Sequence, residues 1–413
     1  MSRRSTMSSL TRLKLSSGAD RAMFIVALGI MAAVSPMATD IYLASIPAAA
    51  EYFRTPITAV QLSLSTYMIG MALGQLVLGP VSDRLGRYGL IVAGTSVFTL
   101  SSAGIALSMS IEMMLVLRAV QGIAGAAGVV VGRAMVSDTV SGIEAAKVYT
   151  LLGTITSMAP IVAPLIGGVI ASQAVWQTVF WLLTGFGLLM LTGTLVVLKE
   201  TLRPAERSRA GLVGIFEGPW CMLGQPVFMG WALALAFAFG CLFSYISASS
   251  FVLQNIVGLS ELGYSVVFAL GALCGLLGGL VNVRLLNRFS PGAILRAALI
   301  ALSCINLVGL AVLLAGAPAW TLMVHVVAAQ ACFGFVMGNA IALGQAEARH
   351  RAGAGSAVLG LLQFLLGGIA SPLSGLGGDS TAVPMAVWML IFSGLALICA
   401  VTALRLSRRA DAD

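Results

Sequence analysis

The stretch GPVSDRLGR, residues 79–87, decides the fold because it is a short polar interruption between two long apolar segments. Charged residues make up only 9% of the 413-residue chain, and apolar residues make up 59%. Soluble domains carry about 25% charged residues. A chain with so little charge cannot present a polar surface to water on all sides. The sequence therefore predicts a polytopic membrane protein.

Apolar segments of about the length that an α-helix needs to cross a bilayer recur along the whole chain. The predicted segments are residues 23–43, 60–80, 89–108, 113–135, 149–170, 177–198, 227–249, 263–284, 293–314, 320–344, 354–374 and 382–404. The runs are continuous and do not alternate with polar residues, which favours helices over the strands of a β-barrel. We predict an all-α polytopic membrane protein with twelve transmembrane helices.

A long polar connection divides these segments into two sets of six. The turn after the second segment carries Asp83 and Arg84, and the turn after the eighth echoes it with Asn282 and Arg284. Such an internal echo indicates two pseudo-symmetric six-helix bundles. The predicted order is a cytoplasmic tail, a bundle, a cytoplasmic linker, a second bundle and a second tail, at residues 1–22, 23–198, 199–226, 227–404 and 405–413.

The distribution of basic residues predicts the orientation in the membrane. The net charge is +8, and every Lys and Arg except Arg54 and Arg118 lies in the N-terminal tail, in or beside a loop after an even-numbered segment, or at the C-terminal end. Basic residues collect on the cytoplasmic side of membrane proteins. We therefore expect both termini in the cytoplasm, and we do not expect a nucleic acid partner because the basic residues are spread thinly.

The polar turn at residues 79–87 resembles the signature loop of the major facilitator superfamily, G-x-x-x-D-R-x-G-R-[RK], with Tyr88 at a commonly basic position. The residues that carry this resemblance are Gly79, Asp83, Arg84, Gly86 and Arg87. In that family the aspartate engages the N-terminus of the eleventh helix and a charge near the end of the fourth, and this contact latches the outward-facing state. The resemblance implies that Gly353 and Asp138 belong to the corresponding positions here, with Asp138 paired to Arg84 or Arg87.

The sequence RAVQG, residues 118–122, is similar to the R-x-x-Q-G motif of proton-coupled members of the superfamily. An arginine inside a transmembrane helix costs about 2.5–3.5 kcal/mol on insertion scales and usually marks function. We expect Arg118 to face the interior of the bundle. The alternative is an arginine that reaches the outer membrane interface along its aliphatic chain.

The fifth segment, residues 154–169, resembles the antiporter signature G-x-x-x-G-P-x-x-G-G, with Ala163 in place of the glycine before proline. The matching residues are Pro160, Pro164, Gly167 and Gly168. Proline bends a helix, and glycine allows close contact with a neighbouring helix. In the family this helix seals one bundle against the other and symporters usually lack it, so the resemblance favours export.

Three further stretches, residues 39–47, 199–204 and 352–369, are similar to those of bicyclomycin-resistance-type drug:proton antiporters. The resemblance implies a proton-coupled exporter of small drug-like molecules, such as bicyclomycin- or chloramphenicol-type antibiotics, acting as a monomer in the bacterial inner membrane. An exporter of an endogenous metabolite, such as a siderophore or a sugar, remains the alternative. We do not expect an enzyme, because the segments carry no paired carboxylates, His cluster or phosphate-binding loop.

Proton coupling requires a group that gains and loses a proton within the membrane, and elimination leaves Asp40. The other acidic residues fall on or near the predicted loops. Burial of Asp40 favours its neutral form, whereas a nearby Arg118 favours the carboxylate. We predict that Asp40 is the proton site and Arg118 its electrostatic partner; the alternative is that Asp40 only caps a helix break. His325 and His350 rank behind it.

The substrate is expected to contact amphipathic side chains in both bundles. The candidates are Tyr42, Gln61, Tyr67, Gln75, Phe239, Tyr245, Asn339 and Gln363. A cavity with few fixed charges suits neutral or weakly polar molecules. The six cysteines show no metal-binding spacing. We therefore predict no cofactor other than the transported proton, and no metal.

Overall fold

The computed structural model describes residues 18–140, 142–207, 214–348, 351–378 and 381–410. Within these residues twelve helices are long and apolar enough to cross a membrane, which confirms the predicted number. We label them α1 to α12 in chain order. Their bounds are 18–53 for α1, then Ile57–Leu85, Arg87–Ala106, Ile111–Thr139, Gly142–Gln173, Gln177–Val197, Pro226–Phe251, Glu261–Leu285, Pro291–Leu314, Trp320–Glu347, Ala352–Ser374 and Val383–Ala410.

Several helices extend beyond the predicted apolar segments at both ends, because hydropathy detects only the part of a helix in hydrocarbon. Serine caps mark three of the true N-termini. The hydroxyl oxygens of Ser110, Ser260 and Ser290 accept hydrogen bonds from backbone N–H groups three residues later, at 3.3, 3.1 and 3.4 Å. These bonds satisfy donors that the first helical turn leaves free.

Helix α1 is interrupted near its middle. It runs as Gly18–Ala32 and Val34–Asp40, then as a short 3₁₀ turn at Leu43–Ser45, and finally as Ile46–Phe53. Asp40 is the last residue of the second piece, so the break places a carboxyl deep within the bundle. The break also leaves the backbone after Asp40 free to contact other helices.

Glycines allow corresponding helices of the two bundles to cross closely. A Cβ atom on Gly70 of α2 would lie 2.2 Å from the carbonyl oxygen of Ala119 in α4. A Cβ atom on Gly334 of α10 would lie 2.1 Å from the carbonyl oxygen of Gly275 in α8. Side chains larger than hydrogen are excluded at both crossings. The second and fourth helices of each bundle therefore pack in the same way, as expected for two pseudo-symmetric six-helix bundles.

We call the end of the molecule where α1 begins and α12 ends the basic face, and the other end the opposite face. The linker helix, Gly214–Leu223, packs at the basic face, where a Cβ atom on Gly218 would lie 3.0 Å from the Cβ atom of Ala354 at the start of α11. Of the predicted tails at residues 1–22 and 405–413, residues 18–22 and 405–410 belong to α1 and α12. The rest of both tails, linker residues 208–213 and His350 lie outside the described residues.

Candidate transport cavity and conformational latch

A cavity of about 900 Å³ lies between the two bundles. Its walls come from α1, α2, α4 and α5 on one side and from α7, α8, α10 and α11 on the other. The lining stretches 150–160 of α5 and 356–364 of α11 belong to the halves of these helices that lie nearer the basic face. The cavity therefore opens toward the basic face.

Hydrogen bonds between the bundles close the opposite face. The side-chain amide of Gln61 in α2 donates to the carbonyl oxygen of Ser247 in α7 at 2.8 Å, and the hydroxyl of Ser371 in α11 donates to the carbonyl oxygen of Gln61 at 3.2 Å. The amide of Gln254 donates to the carbonyl oxygen of Ala44, just after the break in α1, at 3.3 Å. We call these contacts the Gln61 gate.

Helix α5, which resembles the antiporter signature, contributes to this closure. A Cβ atom on Gly167 would lie 2.1 Å from the carbonyl oxygen of Ile41, and one on Gly168 would lie 2.2 Å from the hydroxyl of Ser265 in α8. The two glycines thus seat α5 against the break in α1 and against the other bundle. Pro160 lines the cavity, and Pro164 lies between it and the glycines within the same helix.

Asp40 lies in the cavity wall and is 4% exposed. One of its carboxylate oxygens accepts a hydrogen bond from the hydroxyl of Thr39 at 2.8 Å. Among the described residues that line the cavity, Asp40 is the single carboxyl and Arg133 the single cation. Because the contacts of the Gln61 gate begin immediately beyond it, Asp40 sits at the closed end of the cavity.

Arg118 faces the bundle interior, as predicted, and is fully buried. Its Nη1 atom donates to the carbonyl oxygen of Ala38 at 2.9 Å and to the side-chain oxygen of Gln121 at 2.8 Å. The guanidinium carbon lies 5.4 Å from the ring centre of Tyr42 and 5.0 Å from that of Tyr67. The cation is thus held by a carbonyl, an amide and aromatic faces.

Arg118 and Asp40 do not form an ion pair in the structure. The link between them is indirect, because the carbonyl group that Arg118 binds belongs to Ala38, two residues before Asp40. The Nε and Nη2 atoms of Arg118 and the hydroxyls of Tyr42 and Tyr67 are buried with no hydrogen-bond partner among the described residues. A direct pairing of Arg118 with Asp40 would need a local rearrangement of α1, and the coupling role of the two residues stays a prediction.

Three of the eight predicted substrate contacts, Gln75, Phe239 and Gln363, line the cavity. The other five do not, because each is held elsewhere. Gln61 belongs to the gate, Tyr42 and Tyr67 surround Arg118, Tyr245 stacks on Phe268 with ring centres 5.6 Å apart, and the amide of Asn339 donates to Asn282 at 2.8 Å. Aromatic and amide residues in a helical sequence do not reveal which neighbour they face.

Residues of the predicted latch contact one another around Arg87 at the basic face, and their role as a latch stays a prediction. Arg87 Nη2 lies 2.6 Å from Asp83 Oδ1, and Arg87 Nε lies 3.1 Å from Asp138 Oδ2. Arg87 Nη1 also donates to the hydroxyl of Ser82. Arg87, and not Arg84, therefore makes the contact with the end of α4. Arg84 is exposed. Gly79 packs against α4, where a Cβ atom on it would lie 3.2 Å from a side-chain carbon of Val130.

The predicted contact between Asp83 and the start of α11, which would join the two bundles, is open. The side chain of Asp83 is 53% exposed and contacts Arg87 in its own bundle; no contact with the start of α11 is found in the part of the chain that the structure describes. An open latch agrees with a cavity that opens at the basic face. The family resemblance assigns the closed latch to the outward-facing state.

Glu200 completes the latch and was not predicted. Its carboxylate accepts hydrogen bonds from the backbone N–H groups of Arg87 at 2.9 Å and Tyr88 at 3.4 Å, and it lies 3.6 Å from Arg207. It thereby caps the N-terminus of α3, where a negative charge is favourable. The next residue, Thr201, donates to Asp138 at 2.9 Å. The sequence shows an acid three residues after the end of α6, but only the fold brings its carboxylate to the backbone of residue 87.

A family model described as Major Facilitator Superfamily matches residues 28–372. The chain is 35% identical over 376 residues to YdgK of Bacillus subtilis strain 168, described as an uncharacterized MFS-type transporter, with 91% of this chain and 93% of that protein covered. It is 29% identical over 365 residues to a bicyclomycin resistance protein homolog of Haemophilus influenzae, with 88% and 91% covered.

The fold is also similar to a solved structure, that of a bacterial homolog of the human lysosomal transporter Spinster in an inward-facing, unoccupied conformation. The TM-score is 0.67 at 17% identity, with 94% of this chain and 98% of that chain covered. The chain belongs to the Major Facilitator Superfamily. It is a multi-pass membrane transporter and not an enzyme, and its likeness to bicyclomycin resistance proteins is confirmed.

Proposed function

We propose that this transporter is a proton-coupled exporter that carries small drug-like molecules, such as bicyclomycin- or chloramphenicol-type antibiotics, out of the bacterial cytoplasm. It acts as a monomer in the inner membrane with both termini and the basic face in the cytoplasm. One observation supports the proposal most strongly. Asp40, the one carboxyl among the described residues of the cavity wall, stands at the closed end of a cavity large enough for a drug-sized molecule.

In this proposal the cavity alternates between the two faces. Asp40 takes a proton when the opposite face is open and releases it when the basic face is open. One charge returning across 100 mV supplies about 2.3 kcal/mol, and each pH unit adds about 1.4 kcal/mol. One proton for each molecule can therefore sustain a substrate gradient of tens to hundreds-fold.

Proteoliposomes with an imposed pH gradient test the proton role, with chloramphenicol and bicyclomycin as the transported probes. Asp40→Asn cannot exchange a proton and should abolish gradient-driven accumulation, whereas Asp40→Glu should keep part of it. Glu51→Gln is the matched control, because Glu51 is an exposed acid at the opposite face and does not line the cavity. Normal pH-driven accumulation by Asp40→Asn would contradict the proposal.

The same vesicles distinguish drug export from metabolite export. If proton-driven flux requires Asp40 but only a hydroxamate siderophore or a sugar is accumulated, the coupling stands and the drug assignment fails. Orientation is tested separately. A reporter that is active only outside the cytoplasm is fused after Ala317, in the loop between α9 and α10, and we expect it to be active. An inactive reporter at this position would contradict the proposed orientation.

A further inference from the structure

Arg133 is the one ionisable side chain of the cavity wall, besides Asp40, among the described residues, and the proposed proton cycle does not use it. It lies on α4 one turn after Val129, which also lines the cavity. An arginine in a transmembrane helix is costly unless it is paired or faces water, and such arginines usually mark a substrate pathway. Arg133 meets the second condition, because it is exposed and lines the cavity.

The guanidinium of Arg133 is exposed to the cavity and has no ion pair or hydrogen bond to a described residue. The neighbouring acid at the end of the same helix, Asp138, is already bound to Arg87 and Thr201. The hydroxyl of Tyr149 in α5 donates to the backbone carbonyl oxygen of Arg133 at 3.0 Å, which holds α4 against α5.

The cavity has room for a ligand beside this side chain. Gly153 of α5 and Gly338 of α10 both line the cavity, and a Cβ atom on either would meet no other atom within 4 Å. Thr154 and Ser157 line the same wall of α5. Deeper in the cavity the walls are aromatic, with Phe239 and Phe364 5.4 Å apart between ring centres.

We infer that the cavity also takes amphipathic monoanions, beside the uncharged drugs of the proposed function, and that Arg133 binds the carboxylate or similar planar acid that such molecules carry on an apolar, aromatic body. Guanidinium binds such acids through two parallel hydrogen bonds. The aromatic walls take the apolar body. This inference rests on the proposed function, because it names the substrate class of the same cavity.

An anion at Arg133 would lie far along α4 from the proton site. Arg118 contacts the carbonyl group of Ala38 beside Asp40, and Arg133 lies fifteen residues further along α4, about 22 Å away at the rise of an α-helix. At this distance an acid held by Arg133 makes no direct contact with the carboxyl of Asp40. The acid can therefore load at the basic face while Asp40 exchanges its proton at the closed end.

Binding of a matched pair of probes tests the inference. The pair is 4-biphenylacetic acid, ionised at pH 7, and the uncharged 4-biphenylacetamide, titrated into the purified full-length protein by calorimetry. We expect the wild type to bind the acid at least tenfold more tightly. R133Q should bring the two affinities within threefold of each other, and R133K should retain part of the preference because it keeps the charge but loses the bidentate geometry.

The control is R288Q, which removes an equal charge from an exposed position on the basic face outside the cavity. It should leave the preference for the acid unchanged. Equal binding of acid and amide by the wild type overturns the inference, as does an R288Q effect as large as that of R133Q. If proton-driven export is absent but the preference for the acid is preserved, the proposed function is refuted and the inference about Arg133 is not.

A second measurement needs no ligand. Thr154→Cys is labelled with anionic 2-sulfonatoethyl and cationic 2-trimethylammonioethyl methanethiosulfonate, and modification of residue 154 is followed by mass spectrometry. R133Q should lower the anionic-to-cationic rate ratio at least threefold, because it removes the positive potential of the cavity, and R288Q should not. An unchanged ratio in R133Q overturns the inference.

Discussion

Arg87 of α3 and Asp138 of α4 form an ion pair, with Arg87 Nε 3.1 Å from Asp138 Oδ2 and side chains only 7% and 17% exposed. The pair joins two helices of one bundle at the basic face. Asp83 also pairs with Arg87, at 2.6 Å, but its side chain is 53% exposed. Asp138 and Asp83 therefore have separable roles.

We predict that Asp138→Asn lowers the free energy of unfolding by about 1–3 kcal/mol, because Arg87 stays buried without its buried partner. Asp83→Asn should lower it by less than about 1 kcal/mol, since exposed ion pairs contribute little. Denaturation in detergent micelles measures both changes. A larger loss for Asp83→Asn than for Asp138→Asn would contradict the assigned roles.

Asp83→Asn should nevertheless slow transport severalfold. The resemblance implies that Asp83 closes the basic face in the outward-facing state by binding the start of α11, and the amide lacks the charge for that helix terminus. Probe binding from the basic face should be retained. A wild-type transport rate in this variant would show that Asp83 is not a latch.

Gly86 is predicted to resist substitution. It has φ of +106°, and a Cβ atom there would lie 2.3 Å from a carboxylate oxygen of Glu200. Gly86→Ala should lose about 1–3 kcal/mol of stability from backbone strain alone and should displace Glu200 from the start of α3. Gly89→Ala is the control, because its Cβ atom would meet nothing within 4 Å, and alanine favours a helix by about 1 kcal/mol. Equal thermal stability of the two variants would argue against the Glu200 cap.

Gly168 is predicted to control closure of the opposite face. A Cβ atom at Gly168 would collide with Ser265, so Gly168→Ala should push α5 away from α8 and populate the outward-facing state. Ser265→Gly should restore the balance in the double variant. Distances between spin labels at the opposite-face ends of α5 and α8 report this shift, and Gly185→Ala, with open space at its Cβ atom, should not change them.

His325 is predicted to stabilise the second bundle and not to couple protons. The amide of Asn306 donates to Met389 and to Ser393, each at 3.1 Å, so its oxygen accepts from Nε2 of His325, also at 3.1 Å. His325→Leu leaves that buried oxygen unpaired and should cost about 1–3 kcal/mol. His325→Gln supplies a replacement donor and should keep pH-driven export; loss of coupling in His325→Gln, with normal stability, would contradict this role.

The sequence by itself determined the class of the protein, because the bilayer imposes its thickness on every spanning segment independently. An apolar stretch of about 20 residues must form a helix wherever its neighbours lie. Gly86 and Arg87 in the signature loop and Gly168 in α5 were recognisable through their match to the motifs that the chain resembles. The interior location of Arg118 followed from the energetic cost of a charge inside a transmembrane helix.

Contacts between distant segments were decided only by the tertiary structure. Glu200 lies 113 residues from the N–H group that it caps, and no local pattern encodes that distance. Gln61 and Gln75 stand on the same helix with similar neighbours, yet one closes the gate and the other faces the cavity. Their roles differ because the helix rotation and the approach of the second bundle select which side chains meet. The position of Arg133 in the cavity wall, about 22 Å along α4 from Arg118, arises in the same way.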